Sequence, residues 1–317
     1  MQPVVTRFAP SPTGLLHLGS AYSALVAWTR AREAGGRFLL RMEDIDTGRC
    51  RPEFEAALLG DLRWLGLDWD GEVRRQSEHF DTYHRVVEGL AGRGLAYPCF
   101  CTRADIAREI AGSGGAPHGP DGPLYPGTCR QLSPAERRQR IDAGHDHCIR
   151  LDAGRAALEV GPYAFVDEGQ GRIEGQPVLA GDIVVARKDA PTSYHLAVTV
   201  DDHLQGVTLV TRGDDLLPSA HVQVLLQRLL GYATPGYSHH RLLADATGRR
   251  LAKRHGDLTI RSLRESGVTA EEVRHRALAG RTAAHATASG RKPIGALKHS
   301  PRAALAVING DDTLSMG

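Results

Sequence analysis

The sequence predicts an α/β protein built on a doubly wound parallel sheet. Three observations carry this. Strand-like and helix-like apolar patterns alternate over the first ninety or so residues. The first strand runs through a Gly- and Pro-rich turn into a helix and then into a second strand, the opening of a βαβ unit. Apolar strand signals then lapse over a long Gly/Pro-rich stretch and resume beyond it, so one sheet is expected to be completed on the far side of an insertion.

The opening strand is expected over Val4–Phe8. In the stretch RFAPSPTGLLHLGS, Arg7 to Ser20, Pro10 and Pro12 restrict φ, Gly14 permits a tight turn and Gly19 lets a ligand approach the backbone. A helix from about Ser20 to Glu33 ends at Gly35-Gly36, and a strand follows over Arg37–Met42. Phe54, Leu58, Leu62 and Leu65 share helical spacing in a helix from about Glu53 to Leu65, and another covers Phe80 to Arg93. The insertion is expected from Tyr97 to Gly181, since GSGGAPHGPDGPLYPG is too rich in Gly and Pro for a core element. Strand signals return at Asp182–Arg187, Tyr194–Val200 and Val207–Arg212, followed by an amphipathic helix over Ser219–Tyr232.

The expected organisation is therefore a first sheet half over 1–96, the insertion over 97–181 and a second half over 182–236. A basic loop and short helical part, including EEVRHRALAG, fill 237–280, and a flexible tail with one short element at AALAVING occupies 281–317. At 317 residues, 41% hydrophobic, the chain buries a large core, and a net charge of +2 neither demands nor excludes an RNA partner. No apolar run reaches 18 residues, and MQPVVTRF has no signal-peptide pattern, so the expectation is a cytoplasmic protein with no membrane partner. Five cysteines suit free thiols or a metal site better than a disulfide frame.

Two stretches carry chemistry. A turn entering a helix presents unpaired N–H groups, which suit a phosphate, and places His17 beside them. Far away, GRRLAKRHG, Gly248 to Gly256, gathers Arg249, Arg250, Lys253 and Arg254 between glycines. Those cations suit closure on a polyphosphate; read alone, they equally suit a solvated surface loop. In the insertion, Cys99, Cys101, Tyr125 and Cys129 offer three thiols and a phenol, with His118 as a competing fourth ligand. A tetrahedral Zn²⁺ would staple a segment so poor in apolar residues, although the C-x-C spacing is equally open to free thiols.

Taken together, the two stretches resemble the signature sequences of the class I aminoacyl-tRNA synthetases. His17-Leu18-Gly19-Ser20 is similar to their H-I-G-H element and Arg250-Leu251-Ala252-Lys253-Arg254 to their K-M-S-K-S loop, with Ser20 and Ala252 as departures. RFAPSPTG, RMEDIDTGR, SYHLAVTVDD and TRGDDLL resemble the glutamyl branch, and the likeness spans about Arg7 to Gly256.

The resemblance implies a Rossmann-like catalytic domain with ATP held by His17, Gly19, Ser20, Arg250, Leu251, Ala252, Lys253 and Arg254. His17 and Lys253 would be the catalytic pair, with Mg²⁺ accompanying ATP. It implies a glutamate pocket of Arg7, Ala9, Ser11, Glu43, Tyr194 and Arg212. A guanidinium at Arg7 matches the side-chain carboxylate, and Glu43 answers the ammonium. Each has a plainer alternative: surface charges for Arg7 and Arg212, a capping acid for Glu43, a core aromatic for Tyr194.

Only about sixty residues follow Gly256, too few for the anticodon-reading helical domain of a full glutamyl-tRNA synthetase. That brevity, Ser20 and the Cys, Cys, Tyr, Cys zinc set resemble the glutamyl-queuosine tRNA(Asp) synthetases. The resemblance implies a monomer that activates L-glutamate without tRNA and transfers it to queuosine in the anticodon of tRNA(Asp). Arg103, Arg108, Arg130, Arg137, Arg138 and Arg140 would meet RNA phosphates or form a solvated face. The alternatives are a catalytic fragment charging an acceptor end, a small-molecule nucleotidyltransferase, and an inactive RNA-binding paralogue.

Overall fold

The computed structural model describes residues 3–112, 118–119, 122–243 and 259–278, with backbone alone at 112, 118 and 119. Strands β1 (Val5–Phe8) and β2 (Arg37–Met42) pair in parallel, Val5 opposite Arg37 and Phe8 opposite Leu40. Parallel neighbours need a crossover, which α1 (Leu18–Glu33) supplies. Its return turn depends on glycine. Gly35 sits at φ +60°, and a Cβ on Gly36 would lie 2.0 Å from the Val4 carbonyl oxygen. After α2 (Pro52–Trp64), β3 (Arg74–Arg75) joins the other edge of β2 in parallel.

Side chains alternate along β2, and the two sets enter different cores. Phe38, Leu40 and Met42 pack with Leu25 of α1 and Leu58 and Leu62 of α2. Leu39 packs with Val5 and with Tyr83, Val87 and Leu90 of α3 (Phe80–Gly92). Both sheet faces are covered, which explains why this strand reads as a continuous apolar run interrupted only by Arg41.

Beyond α3 come β4 (Ala96–Cys99), α4 (Arg103–Gly112), a short hairpin of β5 (His118–Gly119) and β6 (Gly122–Pro123), α5 (Pro134–Asp142) and β7 (Cys148–Leu151). These are followed by α6 (Ala153–Val160), β8 (Ala164–Asp167), β9 (Gly171–Glu174), β10 (Val184–Ala186), α7 (Tyr194–Leu204), β11 (Leu209–Gly213) and α8 (Leu217–Leu229). Last are β12 (Gly236–His240), α9 (Ile260–Glu265) and helical residues 270–278. Strands β10, β7 and β4 form an antiparallel sheet. β11, β12 and β8 run parallel, with β9 antiparallel at the edge. Residues 97–181 thus contribute strands to both of these sheets as well as forming the β5–β6 hairpin.

β11 lies beside β1. Thr208 N donates to Val5 O at 3.0 Å at their starts, and Arg7 Nη1 donates to Thr211 O at 3.4 Å at their ends, so the two run the same way. From β1 the chain winds to β2 and β3 on one side and later to β11 and β12 on the other. That makes the carboxyl ends of β1 and β11 the topological switch point, where open α/β sheets hold their ligands.

One expected strand is a helix. Tyr194–Val200 was expected to extend, since Val198, Thr199 and Val200 favour strands. Instead Ser193 caps α7, its side chain accepting from Leu196 N, and Leu196 to Asp202 are buried without a break. A helix buried on all sides shows neither period, so its β-branched content misleads. The expected basic loop and the AALAVING element lie outside the described residues. Among the described residues no helix is long and apolar enough to cross a membrane.

Candidate active site

A cavity of about 440 Å³ opens at the switch point. Arg7 of β1 and Ala9 and Ser11 of the turn line it, with His17, Gly19 and Ser20 where α1 begins. Glu43 after β2, Tyr194 at the start of α7 and Arg212 on β11 complete the set. Every described residue singled out for glutamate or ATP from the sequence therefore faces one space. The turn is pinned from below: Glu43 N donates to Pro10 O at 2.9 Å and Arg51 N to Pro12 O at 3.1 Å. Gly14, read from the sequence as permitting a tight turn, has open space where a Cβ would stand, so these two cross-links rather than close packing at the glycine hold the path.

His17 is the N-cap of α1. Its Nδ1 accepts from Ser20 N at 3.3 Å, and its Nε2 lies 2.9 Å from Ser20 Oγ. The serine at this signature position thus holds the imidazole against the helix N-terminus, where an anion is favoured.

Beneath the cavity lies a buried charge network that sequence reasoning missed. Asp202 binds Arg7 Nε at 3.0 Å and Arg41 Nη1 at 2.8 Å, and Arg41 Nη2 reaches Glu43 at 3.4 Å. Asp201 accepts from Arg74 Nε at 2.8 Å and from Tyr83 Oη at 2.9 Å. Burial, the largest cause, pushes the Glu43 carboxyl up to about 7 against the pull of Arg41 and Arg7. Burial also works against Asp202, but Arg7 and Arg41 outweigh it and hold its pKa below the usual carboxylate range. The available signal was a charge embedded in a strongly apolar run, Arg41 in FLLRM and Asp201-Asp202 after HLAVTV.

Arg212 is held differently. Its Nη1 donates to Gln223 Oε1 at 2.7 Å and its Nε to His239 Nε2 at 3.1 Å, both uncharged acceptors in that arrangement. Its Nη2 is buried with no hydrogen-bond partner. A buried donor left unmade is costly, so this edge of the guanidinium suits an incoming carboxylate.

Arg250, Leu251, Ala252, Lys253 and Arg254 lie outside the described residues, but both flanks of their segment are described. Leu243 lines the cavity. Thr259 forms an antiparallel bridge with His17, and Ile260 N donates to Leu16 O at 2.8 Å. One described flank thus lies at the cavity and the other at the first signature.

The thiols of Cys99, Cys101 and Cys129 lie within 4.8 Å of one another, with Cys101 and Cys129 Sγ 3.5 Å apart. Ligands on a tetrahedral Zn²⁺ with Zn–S bonds near 2.3 Å stand about 3.8 Å apart. Tyr125 Oη is 3.4 Å from Cys99 Sγ and 3.6 Å from Cys101 Sγ, so the set with a phenol fits the metal. Backbone N–H groups already favour negative charge here: Phe100 N donates to Cys129 Sγ and Cys129 N to Tyr125 Oη. Arg150 lies 4.0 Å over the Tyr125 ring. Cys148, outside this set, is paired with Cys99 across β4 and β7, and its thiol, the largest cause, lowers the Cys99 pKa to about 4. The His118 side chain lies outside the described residues.

Several insertion arginines are engaged internally. Arg130 pairs with Asp182 at 3.0 Å and Arg108 with Asp105 at 3.2 Å, while Arg137 and Arg140 lie over Tyr97 and Phe100. A groove of about 930 Å³ shares Tyr194 with the cavity and is lined by Arg49, Arg103, Arg187 and Lys188 together with Asp46 and Asp189, which pair with Arg49 and Arg187.

Residues 3–286 match the family described as tRNA synthetases class I (E and Q), catalytic domain. The chain is 47% identical to the Glutamyl-Q tRNA(Asp) synthetase of Rhodobacter capsulatus, over 86% of this chain and 98% of that one. It is 46% identical to that of Symbiobacterium thermophilum, over 84% and 83% of the two chains. Among solved structures it resembles a glutamate tRNA ligase from Elizabethkingia meningosepticum in complex with its amino acid, with a TM-score of 0.66 and 29% identity. That likeness covers 84% of this chain and 53% of the ligase, so the chain spans about half the length of that protein. The α/β fold with its parallel sheet, the cavity at the switch point and these likenesses agree: the chain belongs to the class I tRNA synthetases of the E and Q type, a family of ligases, and within it to the glutamyl-Q tRNA(Asp) synthetase group.

Proposed function

We propose that the enzyme activates L-glutamate with ATP to glutamyl-adenylate without needing tRNA, and transfers the glutamyl group to queuosine in the anticodon of tRNA(Asp). In the first step a glutamate α-carboxylate oxygen attacks the α-phosphorus of ATP and pyrophosphate leaves. In the second a hydroxyl of the acceptor attacks the acyl carbon and AMP leaves. Neither step uses a protein nucleophile. Catalysis rests on aligning two anions and neutralising the charge that develops between them.

The observation that carries this reading is the convergence of Arg7, Ala9, Ser11, Glu43, Tyr194 and Arg212 with His17, Gly19 and Ser20 on one cavity. In this reading Arg212 Nη2, together with Arg7, takes the side-chain carboxylate. Glu43 takes the ammonium, with Ala9, Ser11 and Tyr194 shaping the pocket. His17, Gly19 and Ser20 meet the triphosphate at the start of α1, and Arg250, Leu251, Ala252, Lys253 and Arg254 close on it from the segment that returns at Thr259. Mg²⁺ arrives with ATP. Cys99, Cys101, Tyr125 and Cys129 would hold a structural Zn²⁺, whose chemistry is to cross-link the insertion. The groove carrying Arg49, Arg103, Arg187 and Lys188 receives the RNA, since it meets the cavity at Tyr194.

The test is glutamate-dependent pyrophosphate exchange with and without tRNA, followed by mass spectrometry of nuclease-digested tRNA(Asp). Exchange without tRNA and glutamate on queuosine are expected. Exchange that waits for tRNA, with glutamate on a terminal ribose, would replace this reading with acceptor-end charging. Tight tRNA binding with no exchange would make the protein an inactive paralogue.

A further inference from the structure

Three strands, of which β11 carries Arg212 into the cavity lining, each contribute one side chain to a single hydrogen-bonded line behind it. Asp167, at the end of β8, lies 2.7 Å from His239 Nδ1 on β12 through its Oδ2. His239 Nε2 lies 3.1 Å from Arg212 Nε on β11. Asp167 and His239 have fully buried side chains, and Arg212 is 5% exposed.

The donors and acceptors in this line have one consistent assignment. An arginine Nε–H only donates, so His239 Nε2 must carry a lone pair. Its Nδ1 then carries the proton, which the Asp167 carboxylate accepts. Asp167 has further reasons to remain an acceptor: Oδ2 takes the His239 backbone N–H at 3.1 Å, and Oδ1 takes Gly169 N at 2.9 Å and Gln170 N at 3.0 Å. An imidazolium would have no lone pair for Arg212 and would set a second positive charge against it. Burial, followed by the charge of Arg212, does push the His239 pKa down.

The two arginines of the pocket therefore differ in electrostatic state. Arg7 is bidentate on Asp202, with contacts of 3.0 and 3.4 Å, and its charge is largely answered by the protein. Arg212 is held by the neutral His239 imidazole and the Gln223 amide, while Asp167, the anion bonded to that imidazole, is kept one imidazole away. We infer that Asp167 and His239 are a positioning pair that fixes the Arg212 guanidinium through a neutral acceptor, keeping its charge available to select a carboxylate over an amide in the amino-acid substrate. This rests on the reading of the cavity as a glutamate site. The physical advantage is specific. A carboxylate placed directly on Arg212 Nε would orient it equally well but would weaken its pull on the substrate and its preference for an anion.

Asp167→Asn is the informative substitution. Its carbonyl oxygen can keep the Gly169 and Gln170 contacts, but its amide, at the Oδ2 position, then presents N–H to His239 Nδ1 and loses the bond from the His239 backbone N–H. That favours the opposite tautomer and sets Nε2–H against Arg212 Nε–H. In glutamate- and glutamine-dependent pyrophosphate exchange, this variant should raise the KM for glutamate at least ~tenfold and reduce glutamate-over-glutamine discrimination by a similar factor. Its KM for ATP should stay within about twofold, because the ATP contacts of this reading do not involve Arg212. His239→Gln can offer a carbonyl oxygen to Arg212 Nε and should recover most of the loss seen in His239→Ala. ¹⁵N spectra of the unsubstituted protein should show His239 protonated on Nδ1.

An Nε2–H tautomer in those spectra overturns the inference. So does unchanged glutamate affinity and discrimination in Asp167→Asn, or a His239→Gln variant no better than His239→Ala. Should Asp167→Asn fail to fold, the spectra and the His239 variants decide. Absence of glutamate-dependent exchange in the unsubstituted protein defeats the site reading and this inference with it, whereas normal exchange with an indifferent Asp167→Asn defeats the positioning pair alone.

Discussion

His17 and Thr259 face each other as an antiparallel bridge, joining the helix cap of the first signature to the chain emerging from the second. Thr259 is itself a cap: its side chain accepts from Ser262 N at 3.0 Å and opens α9. One residue thus anchors both the returning chain and the helix behind it. Thr259→Ala should cost about 1 kcal/mol of stability through the lost cap, read as a lower thermal midpoint. It should also lower kcat for exchange while leaving the KM for glutamate unchanged. An effect on stability alone would separate the bridge from catalysis.

His17→Ala and Lys253→Ala are expected to slow pyrophosphate exchange by about a hundredfold or more with native circular dichroism retained. Near-normal rates in both would remove them from the reaction.

Glu43 sets a pH dependence whose sign follows from burial. Its pKa is raised to about 7, so the carboxylate needed for the substrate ammonium is mostly protonated at pH 6 and ionised at pH 8. Glutamate KM should fall about tenfold across that interval, and Glu43→Gln should flatten the profile. Stability without substrate should move the other way. A carboxyl with a raised folded pKa contributes most below its unfolded value and loses that contribution as pH rises through about 7. Denaturant midpoints that climb from pH 5 to pH 8 in the native protein, with no difference in Glu43→Gln, would contradict the burial argument.

Arg7→Ala removes one of the two cations on Asp202, a pair in which both side chains are almost fully buried. Asp202 keeps Arg41 but loses its charge-assisted bonds to Arg7, which costs about 1–3 kcal/mol, so the variant should be less stable as well as weak for glutamate. Arg7→Ala, Asp202→Asn should recover stability without recovering glutamate binding. Recovery of both would mean that Arg7 serves only the network.

Metal analysis is expected to find about one Zn²⁺ per chain, with loss of metal in Cys101→Ser and in Cys129→Ser. Chelation should make the segment between β4 and β7 the first to be cut by protease while the parallel sheet resists. Unchanged resistance would remove the structural role from the metal.

The parallel frame was legible because alternation, glycine placement and caps agreed with one another. Arg37–Met42 has the strand bounds read from sequence, since the glycine pair before it leaves no other place to start. The cavity lining was legible through family motifs, not through periodicity: Arg7, Glu43 and Arg212 each look like ordinary charges until the fold brings strand ends together. What stayed hidden was what only three-dimensional neighbours decide. Tyr194–Leu204 is a helix because burial on every side outweighs its β-branched residues. Asp202, Asp167 and His239 matter through partners 195, 72 and 27 residues away in the chain.

The place of β1 between β2 and β11 has a consequence for synthesis. Val5 meets Leu39 and Arg37 early, but its other edge waits for Thr208, and the two are 203 positions apart. While the ribosome extends the intervening polypeptide, that strand is an exposed hydrogen-bonding edge flanked by apolar side chains, the condition under which nascent chains associate wrongly. The cavity at the switch point therefore cannot exist in a partly made molecule, and chaperone demand should peak before the last third of translation.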